Sequence, residues 1–322
     1  MRRRQMTPIE QDVSVRTDLA VERLRADSAD EGVRVTKAEF AYGNITRVVV
    51  ENETGARQLG KPPGTYVTVE CPGVHEGDAE LRYSLSCTIA EELARLLPPP
   101  AGRKTTLVVG LGNWNVTPDA LGPKVVNDLL VTRHLLSYAP ASTTEDLESV
   151  CAVAPGVLGL TGIETYEIIT GVVEKVKPQV VLAIDALASH HVGRVGTTIQ
   201  MADTGINPGS GIGNRRKALS QETLGVPVIA VGVPTVVYAA TIAHSTLDAA
   251  LAVTGGKRSG FTLSADMRSD IITEVLSPHL GDLVVTPKEI DALIESMAKV
   301  IAGGINVALH PKLDLKETLY YL

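Results

Sequence analysis

The stretch TTLVVGLGNWNVTPDALGP, Thr105–Pro123, decides the fold of this chain. Thr105–Leu111 is uncharged and rich in β-branched residues, which predicts a buried strand. A turn rich in glycine and asparagine follows, and Lys124–Leu136 then shows helical spacing of its apolar residues. Asp119 therefore lies where a buried strand passes into a helix. In open α/β sheets this carboxyl-end crevice is where ligands and chemistry usually sit.

Strands and helices alternate through the remainder of the chain beyond Lys104. The predicted strands are Gln179–Ile184, which ends in Asp185, then Arg194–Met201 and Pro227–Val231. The predicted helices are Ile163–Val176, Thr235–Thr254 and a last one that begins with the capping box Thr286–Glu289 and runs toward Leu309. This alternation predicts an α/β fold with a mostly parallel, doubly wound sheet.

The N-terminal third does not show this alternation of strands and helices. Three β-rich runs predict a small antiparallel layer: Val33–Phe40, Ile45–Glu51 and Thr65–Cys71. Asp78 is then expected to cap a helix that runs to Leu97. The sequence thus predicts a β-rich extension ahead of the α/β part.

The composition excludes several classes of function. The 322 residues are 44% hydrophobic and 21% charged, and the net charge of −7 makes nucleic acid an unlikely partner. Three scattered cysteines fit a reducing compartment. Val226–Ala243 is long and uncharged, but prolines and a glycine interrupt it, so we interpret it as a strand, a turn and a helix start. We expect a cytoplasmic protein with no membrane span and no secretory signal.

Glycine-rich segments suggest a nucleotide site or a nucleophile only weakly. Gly110-Leu111-Gly112-Asn113 starts like a dinucleotide fingerprint, but Asn115 stands where the third glycine belongs. Gly209-Ser210-Gly211 lacks the spacing of a nucleophile elbow, because Pro208 takes the first glycine position. Asp203-Thr204-Gly205 is similar to the triplet of pepsin-like proteases, but those are all-β proteins, and a turn leading into a glycine-rich loop explains the triplet better.

Two carboxylates carry the strongest chemical hypothesis. Asp119 and Asp185 each follow a predicted buried strand, so neighbouring strands would bring them to one crevice. Such a pair shares a proton, and one member serves as general base toward water while the other serves as acid. His190 and His191 lie a few residues beyond Asp185 and could complete a metal site, although adjacent histidines in a loop are more often surface residues.

Four blocks of sequence resemble the spore germination protease family. They are SVRTDLAVE at Ser14–Glu22, LGNWNVTPDALGP at Leu111–Pro123, DTGINPGSGIGNRRKALSQETLGVPVIAVGVPTVV at Asp203–Val237 and LSPHLGDLVVTPKEID at Leu276–Asp291. The resemblance covers nearly the whole chain. It implies an endopeptidase that degrades small acid-soluble spore proteins during germination, cutting after an acidic residue and before a hydrophobic one. It further implies an atypical aspartic-type mechanism, a homotetramer, a location in the spore core and a fold related to hydrogenase maturation endopeptidases. Because the chain offers no compact cluster of metal ligands apart from the doubtful histidine pair after Asp185, we expect no cofactor or metal.

The resemblance assigns roles to particular positions. The family's catalytic aspartates fall on Asp119 and Asp185, which the strand positions also favour. A self-processing zymogen is implied, with cleavage between Asp18 and Leu19. That division gives a propeptide at 1–18 and one peptidase domain at 19–322, made of a β-rich part at 19–103 and an α/β part at 104–322. Tyr238, after PTVV, departs from the family pattern, where an acidic residue often stands.

The glycine segments are expected to shape the substrate cleft. Gly110, Gly112 and Asn113 on one loop, with Gly205, Gly209 and Gly211 on another, could offer backbone N–H groups to a substrate carbonyl oxygen. Two alternatives stay open at this point. One is a metal-dependent maturation-type endopeptidase with the same aspartates as ligands, and the other is a non-catalytic nucleotide-binding module.

Overall fold

The fold is that of a computed structural model, which describes residues 17–24, 31–76, 78–99, 105–140, 144–207, 217–253, 267, 270–272, 274 and 283–313. Two compact units divide the chain. The larger comprises Thr17–Val237 and Thr286–Leu322, and the smaller comprises Met1–Arg16 and Tyr238–Val285.

The regular elements are the following. The strands are β1 (Val33–Phe40), β2 (Gly43–Val50), β3 (Gly64–Glu70), β4 (Thr106–Gly110), β5 (Val150–Val153), β6 (Val180–Ser189), β7 (Thr198–Ala202), β8 (Val228–Tyr238) and β9 (Val284–Val285). The helices are α1 (Glu53–Leu59), α2 (Ala79–Leu96), α3 (Leu121–Asn127), α4 (Leu135–Tyr138), α5 (Leu158–Thr161), α6 (Thr165–Val176), α7 (Gln221–Leu224), α8 (Ala239–Val253) and α9 (Ile290–Leu309). Short 3₁₀ turns cover Ala20–Arg23, Pro72–Glu76, Thr117–Asp119 and Val192–Arg194.

One mixed sheet forms the centre of the larger unit. Its strands follow the order β1-β2-β3-β7-β8-β6-β4-β5. The pairs β5–β4, β4–β6 and β6–β8 are parallel, whereas the pairs from β1 through β3 and β7 to β8 are antiparallel. The predicted α/β class is confirmed. The three N-terminal strands are antiparallel as expected, but they are not a separate layer, because β3 pairs with β7 and extends the same sheet.

The first face of the sheet carries the largest apolar core. Helices α2, α3 and α9 cover it, and the cluster includes Leu85 and Ile89 of α2, Leu121 of α3 and Ile301 of α9. Asp78 caps α2 as predicted, since its side chain accepts the N–H of Glu80 at 2.8 Å. By length and composition α9 resembles a membrane span, but 67% of it is buried inside the protein, as in a core helix.

The second face carries two smaller apolar clusters at opposite ends of the sheet. One joins Val109 of β4 and Ala183 of β6 to Ile169 of α6. The other joins Ala20 to Tyr66 of β3 and Ala202 of β7. Strands β6, β8 and β7 lie between the two ends, and this middle part of the face holds the candidate site.

Several predicted boundaries are wrong because pairing partners far along the chain decide them. The predicted strand ending at Ile184 continues to Ser189, since β8 pairs with β6 throughout. Likewise β8 runs through Pro234 to Tyr238, and a shift of register between Leu187 and Ala188 lies opposite this proline, which strands tolerate at such irregularities.

Two predicted helix features also differ. The helix that contains Pro123 ends at Asn127 instead of running to Leu136, and beyond it the N–H of Leu130 donates to Oδ1 of Asn306 at 2.9 Å. The capping box at Thr286–Glu289 is not formed. The hydroxyl of Thr286 donates to the carbonyl oxygen of Thr235 at 2.9 Å, and α9 begins at Ile290 without a side-chain cap.

The smaller unit contains α8 and β9. Its described hydrogen bonds include one from the N–H of Ala239 to the carbonyl oxygen of Leu283 at 2.9 Å.

Candidate active site

Asp119 closes the turn that follows β4. It ends a 3₁₀ turn whose second residue is Pro118, and the N–H of Asn113 donates to both its Oδ2 at 2.8 Å and its carbonyl oxygen at 3.0 Å. Gly112 makes this close approach possible, because its φ is +114° and a Cβ there would lie 2.0 Å from the carbonyl oxygen of Asp119. The local sequence thus fixes the aspartate against the strand end.

Asp185 lies inside β6 and not at its end, contrary to the prediction. It is 6% exposed, and its Oδ1 accepts the N–H of Ala186 at 2.9 Å. It nevertheless follows the last residue of β6 that pairs with β4, Ile184. Its carboxylate is therefore at the carboxyl end of the β4–β6 pair while the strand continues beyond it.

The structure brings the two aspartates to the same stretch of backbone. Leu111 donates its N–H to the carbonyl oxygen of Ile184 at 2.8 Å, which sets Asp185 beside the residues that follow β4. Asp119 packs against Gly112, and the turn that contains it contacts β6. The strands before the two aspartates are neighbours, which is the condition on which the predicted pairing of the carboxylates depends.

A segment of the N-terminal arm, Thr17–Arg23, is bound on the second face of the sheet. Asp18 pairs with Ala188, three residues beyond Asp185 on the same strand: its N–H donates to the carbonyl oxygen of Ala188 at 3.1 Å, and its Oδ2 accepts the N–H of Ala188 at 2.9 Å. The carbonyl oxygen of Asp18 accepts hydrogen bonds from Lys61 and Gln200. The predicted cleavage residue is thus held by main-chain and side-chain contacts.

The residues after Asp18 are buried. Leu19 and Ala20 are both 0% exposed, and Ala20 belongs to the apolar cluster with Tyr66 and Ala202. Burial of a leucine side chain is worth about 2 kcal/mol, so Leu19 is an apolar anchor for the segment.

Glu22 is a second anchor that the sequence analysis missed. Its side chain is 1% exposed and accepts the N–H groups of His190 at 2.7 Å and His191 at 3.0 Å, Nη1 of Arg194 at 3.1 Å and the hydroxyl of Thr17. Burial opposes ionisation, but these hydrogen bonds outweigh it and lower the pKa of Glu22 below 4.5. Only the place of Glu22 in the SVRTDLAVE block could have indicated it.

Two further residues, Gln200 and Arg194, complete the site, and neither stood out in the sequence. Gln200 of β7 and Asp185 of β6 both pair with Gly232 of β8, so the three form one row across the sheet. Side chains in such a row point to the same face. Arg194 links the segment to β3, because its Nε donates to Glu70 at 3.0 Å while its Nη1 binds Glu22.

The residues predicted to shape the cleft have different surroundings in the structure. Gly110 allows close packing of β4 on α3, because a Cβ there would lie 2.3 Å from the carbonyl oxygen of Gly122. Gly205, with φ of +78°, packs against the carbonyl oxygen of Leu219 beside the bridge between Ile206 and Leu219. The N–H of Asn113 is already engaged by Asp119. Gly209 and Gly211 lie outside the described residues.

His190 and His191 contribute their backbone N–H groups to Glu22, and their rings stack edge to face with centroids 5.2 Å apart. Among the residues that the structure describes, no group of three or more His, Cys, Asp or Glu side chains is arranged to hold a metal ion.

The chain can now be compared with known proteins. The family model for germination protease matches residues 11–259 and 260–322. The germination protease of Clostridium acetobutylicum is 49% identical over 96% of this chain and 99% of its own length. The germination protease of Caldanaerobacter subterraneus is 49% identical over 95% of this chain and 97% of its own length, and that of Bacillus mycoides is 44% identical over 96% and 97%.

These matches identify the chain as a peptidase, and its fold contains a mixed α/β sheet. The chain belongs to the germination protease family, as its resemblance in sequence predicted. Among solved structures, a [NiFe] hydrogenase maturation protease HycI from Thermococcus kodakarensis KOD1 shares 18% identity, with a TM-score of 0.31, over 66% of this chain and 98% of that chain.

Proposed function

We propose that this germination protease is an endopeptidase of small acid-soluble spore proteins that cuts after an acidic residue and before a hydrophobic one. We further propose that it is made as a zymogen and cuts its own chain between Asp18 and Leu19. The observation that carries the proposal is the bound segment Thr17–Arg23. It presents an acid followed by a fully buried leucine on the strand that holds Asp185.

The proposed chemistry uses Asp119 and Asp185 as an aspartic-type pair. One carboxylate takes a proton from water as its oxygen attacks the carbonyl carbon, and the other donates a proton to the departing amide nitrogen. Both aspartates lie beside the residues that follow β4, which supports their acting as a pair. No cofactor is needed for these steps.

The test compares isosteric variants of the purified chain. Asp119→Asn and Asp185→Asn should each lower the rate of self-cleavage and of cleavage of a peptide with the sequence of residues 16–22 by at least about 10³-fold, because an amide cannot exchange the proton. Asp146→Asn, an exposed site paired with Lys312, is the matched control and should behave like the original chain. Mass spectrometry of the products should give a new N-terminus at Leu19. Near-normal turnover in either catalytic variant would refute the assignment.

The metal-dependent alternative has its own test. We expect no stoichiometric metal in the purified protein and full activity after dialysis against a chelator. If chelation abolishes cleavage and one added divalent metal restores it, Asp119 and Asp185 are metal ligands and the aspartic-type proposal is wrong. Elemental analysis and the activity assay on the same sample decide between the two mechanisms.

The oligomeric state and the cellular location are also proposed. We propose a homotetramer in the cytoplasm of the spore core, following the resemblance to the family. Light scattering of the purified chain measures its mass directly, and a stable monomer would contradict the tetramer.

Digestion of small acid-soluble spore proteins, followed by sequencing of the fragments, tests the substrate. A fragment set without cuts between acidic and hydrophobic residues would contradict the specificity.

A further inference from the structure

The carbonyl oxygen of Asp18 is bound by two side chains that the mechanism above does not use. Nζ of Lys61 donates to it at 2.8 Å, and Nε2 of Gln200 donates to it at 3.1 Å. If the bond between Asp18 and Leu19 is the one that is cut, this is the oxygen that becomes negatively charged when water attacks. Donors aimed at that oxygen usually provide a large share of the rate acceleration in acyl transfer.

Gln200 spans the bond to be cut from both sides. Its Oε1 accepts the N–H of Ala20 at 2.6 Å, while its Nε2 binds the carbonyl oxygen of Asp18. The residue is 8% exposed and lies in the same row of the sheet as Asp185, with only Gly232 between them. Two strand spacings, about 10 Å between Cα atoms, separate Gln200 from Asp185, which leaves room for a peptide bond between the side chains.

Lys61 reaches the same oxygen from the loop before β3. Burial lowers the pKa of its ammonium group, the charge of Asp18 opposes that shift, and the nearby Arg23 adds to it. A cation that is partly removed from water interacts more strongly with developing negative charge than an exposed one does. Lys61 and Gln200 therefore supply one charged and one neutral donor to a single carbonyl oxygen.

We propose that Lys61 and Gln200 are catalytic residues that bind the carbonyl oxygen of the scissile peptide and stabilise the oxyanion of the tetrahedral intermediate. When the water oxygen bonds to the carbonyl carbon, the π electrons of the C=O bond move to the oxygen between these donors, and a carboxylate takes the water proton. The C=O bond re-forms as the C–N bond breaks and the nitrogen is protonated. This proposal rests on the proposed function.

If Lys61 and Gln200 have a purely structural role, a different result is expected. Their loss would then release the segment, and the rate of self-cleavage would fall only in proportion to the fraction of chains in which the segment is still bound. If they stabilise the oxyanion, cleavage falls while the segment stays docked. Hydrogen exchange of residues 17–24 reports docking directly, because the N–H of Ala20 is bonded to Gln200 and that of Asp18 to Ala188.

The experiment uses the full chain and measures the first-order rate of self-cleavage together with hydrogen exchange at residues 17–24. Gln200→Glu is the sharpest variant, because it keeps the acceptor for the N–H of Ala20 and replaces the donor to Asp18 by a carboxylate oxygen. Lys61→Met keeps the aliphatic stem without the charge, and Lys61→Arg restores a charged donor. Lys175→Met, on the exposed side of α6, is the matched control.

We expect Gln200→Glu and Lys61→Met to slow self-cleavage by about 10²-fold or more, with exchange at residues 17–24 slowed as in the original chain. Lys61→Arg should recover at least about tenfold over Lys61→Met, and Lys175→Met should match the original chain. Cleavage within about threefold of the original in Gln200→Glu and Lys61→Met would overturn the proposal, and so would loss of cleavage in step with loss of protection. If Lys61→Met does not fold, the comparison of Gln200→Glu with Lys61→Arg decides alone.

Failure of this inference can be distinguished from failure of the proposed function. If Asp185→Asn is inactive while Lys61→Met and Gln200→Glu cleave normally, the peptidase assignment stands and this inference falls. If the original chain cuts neither itself nor the peptide, both fall together.

Discussion

At the scale of single residues, Gly112 is the position on which the turn that carries Asp119 depends. Its φ of +114° is one that side chains rarely adopt, and Asp119 packs directly where a Cβ would be. A substituted side chain must therefore move the aspartate or strain the backbone. The geometry of the proposed acid–base pair thus rests on a residue that takes no part in the chemistry.

We predict that Gly112→Ala destabilises the fold by more than about 1 kcal/mol and lowers cleavage at least tenfold, because the native φ is unfavourable for alanine and Asp119 is displaced. Gly159→Ala is the matched control, since nothing lies within 4 Å of a Cβ at Gly159. Urea denaturation and the peptide assay measure the two effects. Equal stability and activity for both variants would contradict this account of the turn.

At the scale of elements, a buried ion pair fastens the N-terminal strands to the helical layer. Nε and Nη2 of Arg47 on β2 bind Glu92 of α2 at 2.7 and 2.5 Å, and the Glu92 side chain is 2% exposed. Hydrogen bonding to Glu92 raises the pKa of Arg47, so the guanidinium stays charged. Arg95 of the same helix also contacts Glu92, at 3.1 Å, from a more exposed position.

We predict that Arg47→Met destabilises the protein by about 3 kcal/mol, because it leaves a buried carboxylate with one exposed partner. Arg34→Met is the control: Arg34 pairs with Glu51 at 3.2 Å, but both side chains are about half exposed or more, so its loss should cost less than about 1 kcal/mol. Urea titrations of both variants give the difference. Similar losses would show that the depth of burial does not decide the strength of these pairs.

At the scale of the whole molecule, His310 couples global stability to pH. It is 1% exposed at the end of α9, its Nδ1 accepts the N–H of Glu148 at 3.2 Å, and its Nε2 is buried without a hydrogen-bond partner among the described residues. Burial lowers the pKa of this imidazole below 6.5, although the nearby backbone of Leu130 has a smaller effect in the other direction. The folded protein therefore favours the neutral ring.

We predict that the free energy of unfolding falls as the pH drops below about 6.5, toward the lowered pKa of the folded state, because the unfolded chain binds a proton there that the folded chain does not. The slope from His310 alone is at most about 1.4 kcal/mol per pH unit. His310→Gln should flatten the slope in this window, whereas His134→Gln, at an exposed position, should not. An unchanged slope in His310→Gln would show that other groups are responsible.

The sequence by itself determined the local features of this protein. The β-branched run before Gly112 specifies the buried strand, Asp78 specifies the start of α2, and the turn before Pro123 holds Asp119 where a helix begins. These features depend on residues only a few positions apart, so the local sequence is enough to predict them. The family followed from longer blocks, and the α/β class from the alternation of apolar periods.

The tertiary structure decided what depends on pairing between distant segments. Asp185 lies inside β6, because β8 pairs with β6 beyond the end of β4. Gln200 joins the same row only because β7 runs antiparallel to β8, and Lys61 meets Asp18 only because the arm binds on that face. No periodicity marks such contacts, since strand order and register are set by the fit of the whole sheet. For that reason the sequence was enough to propose the aspartates, but it did not indicate Lys61 and Gln200, which bind the carbonyl oxygen of Asp18.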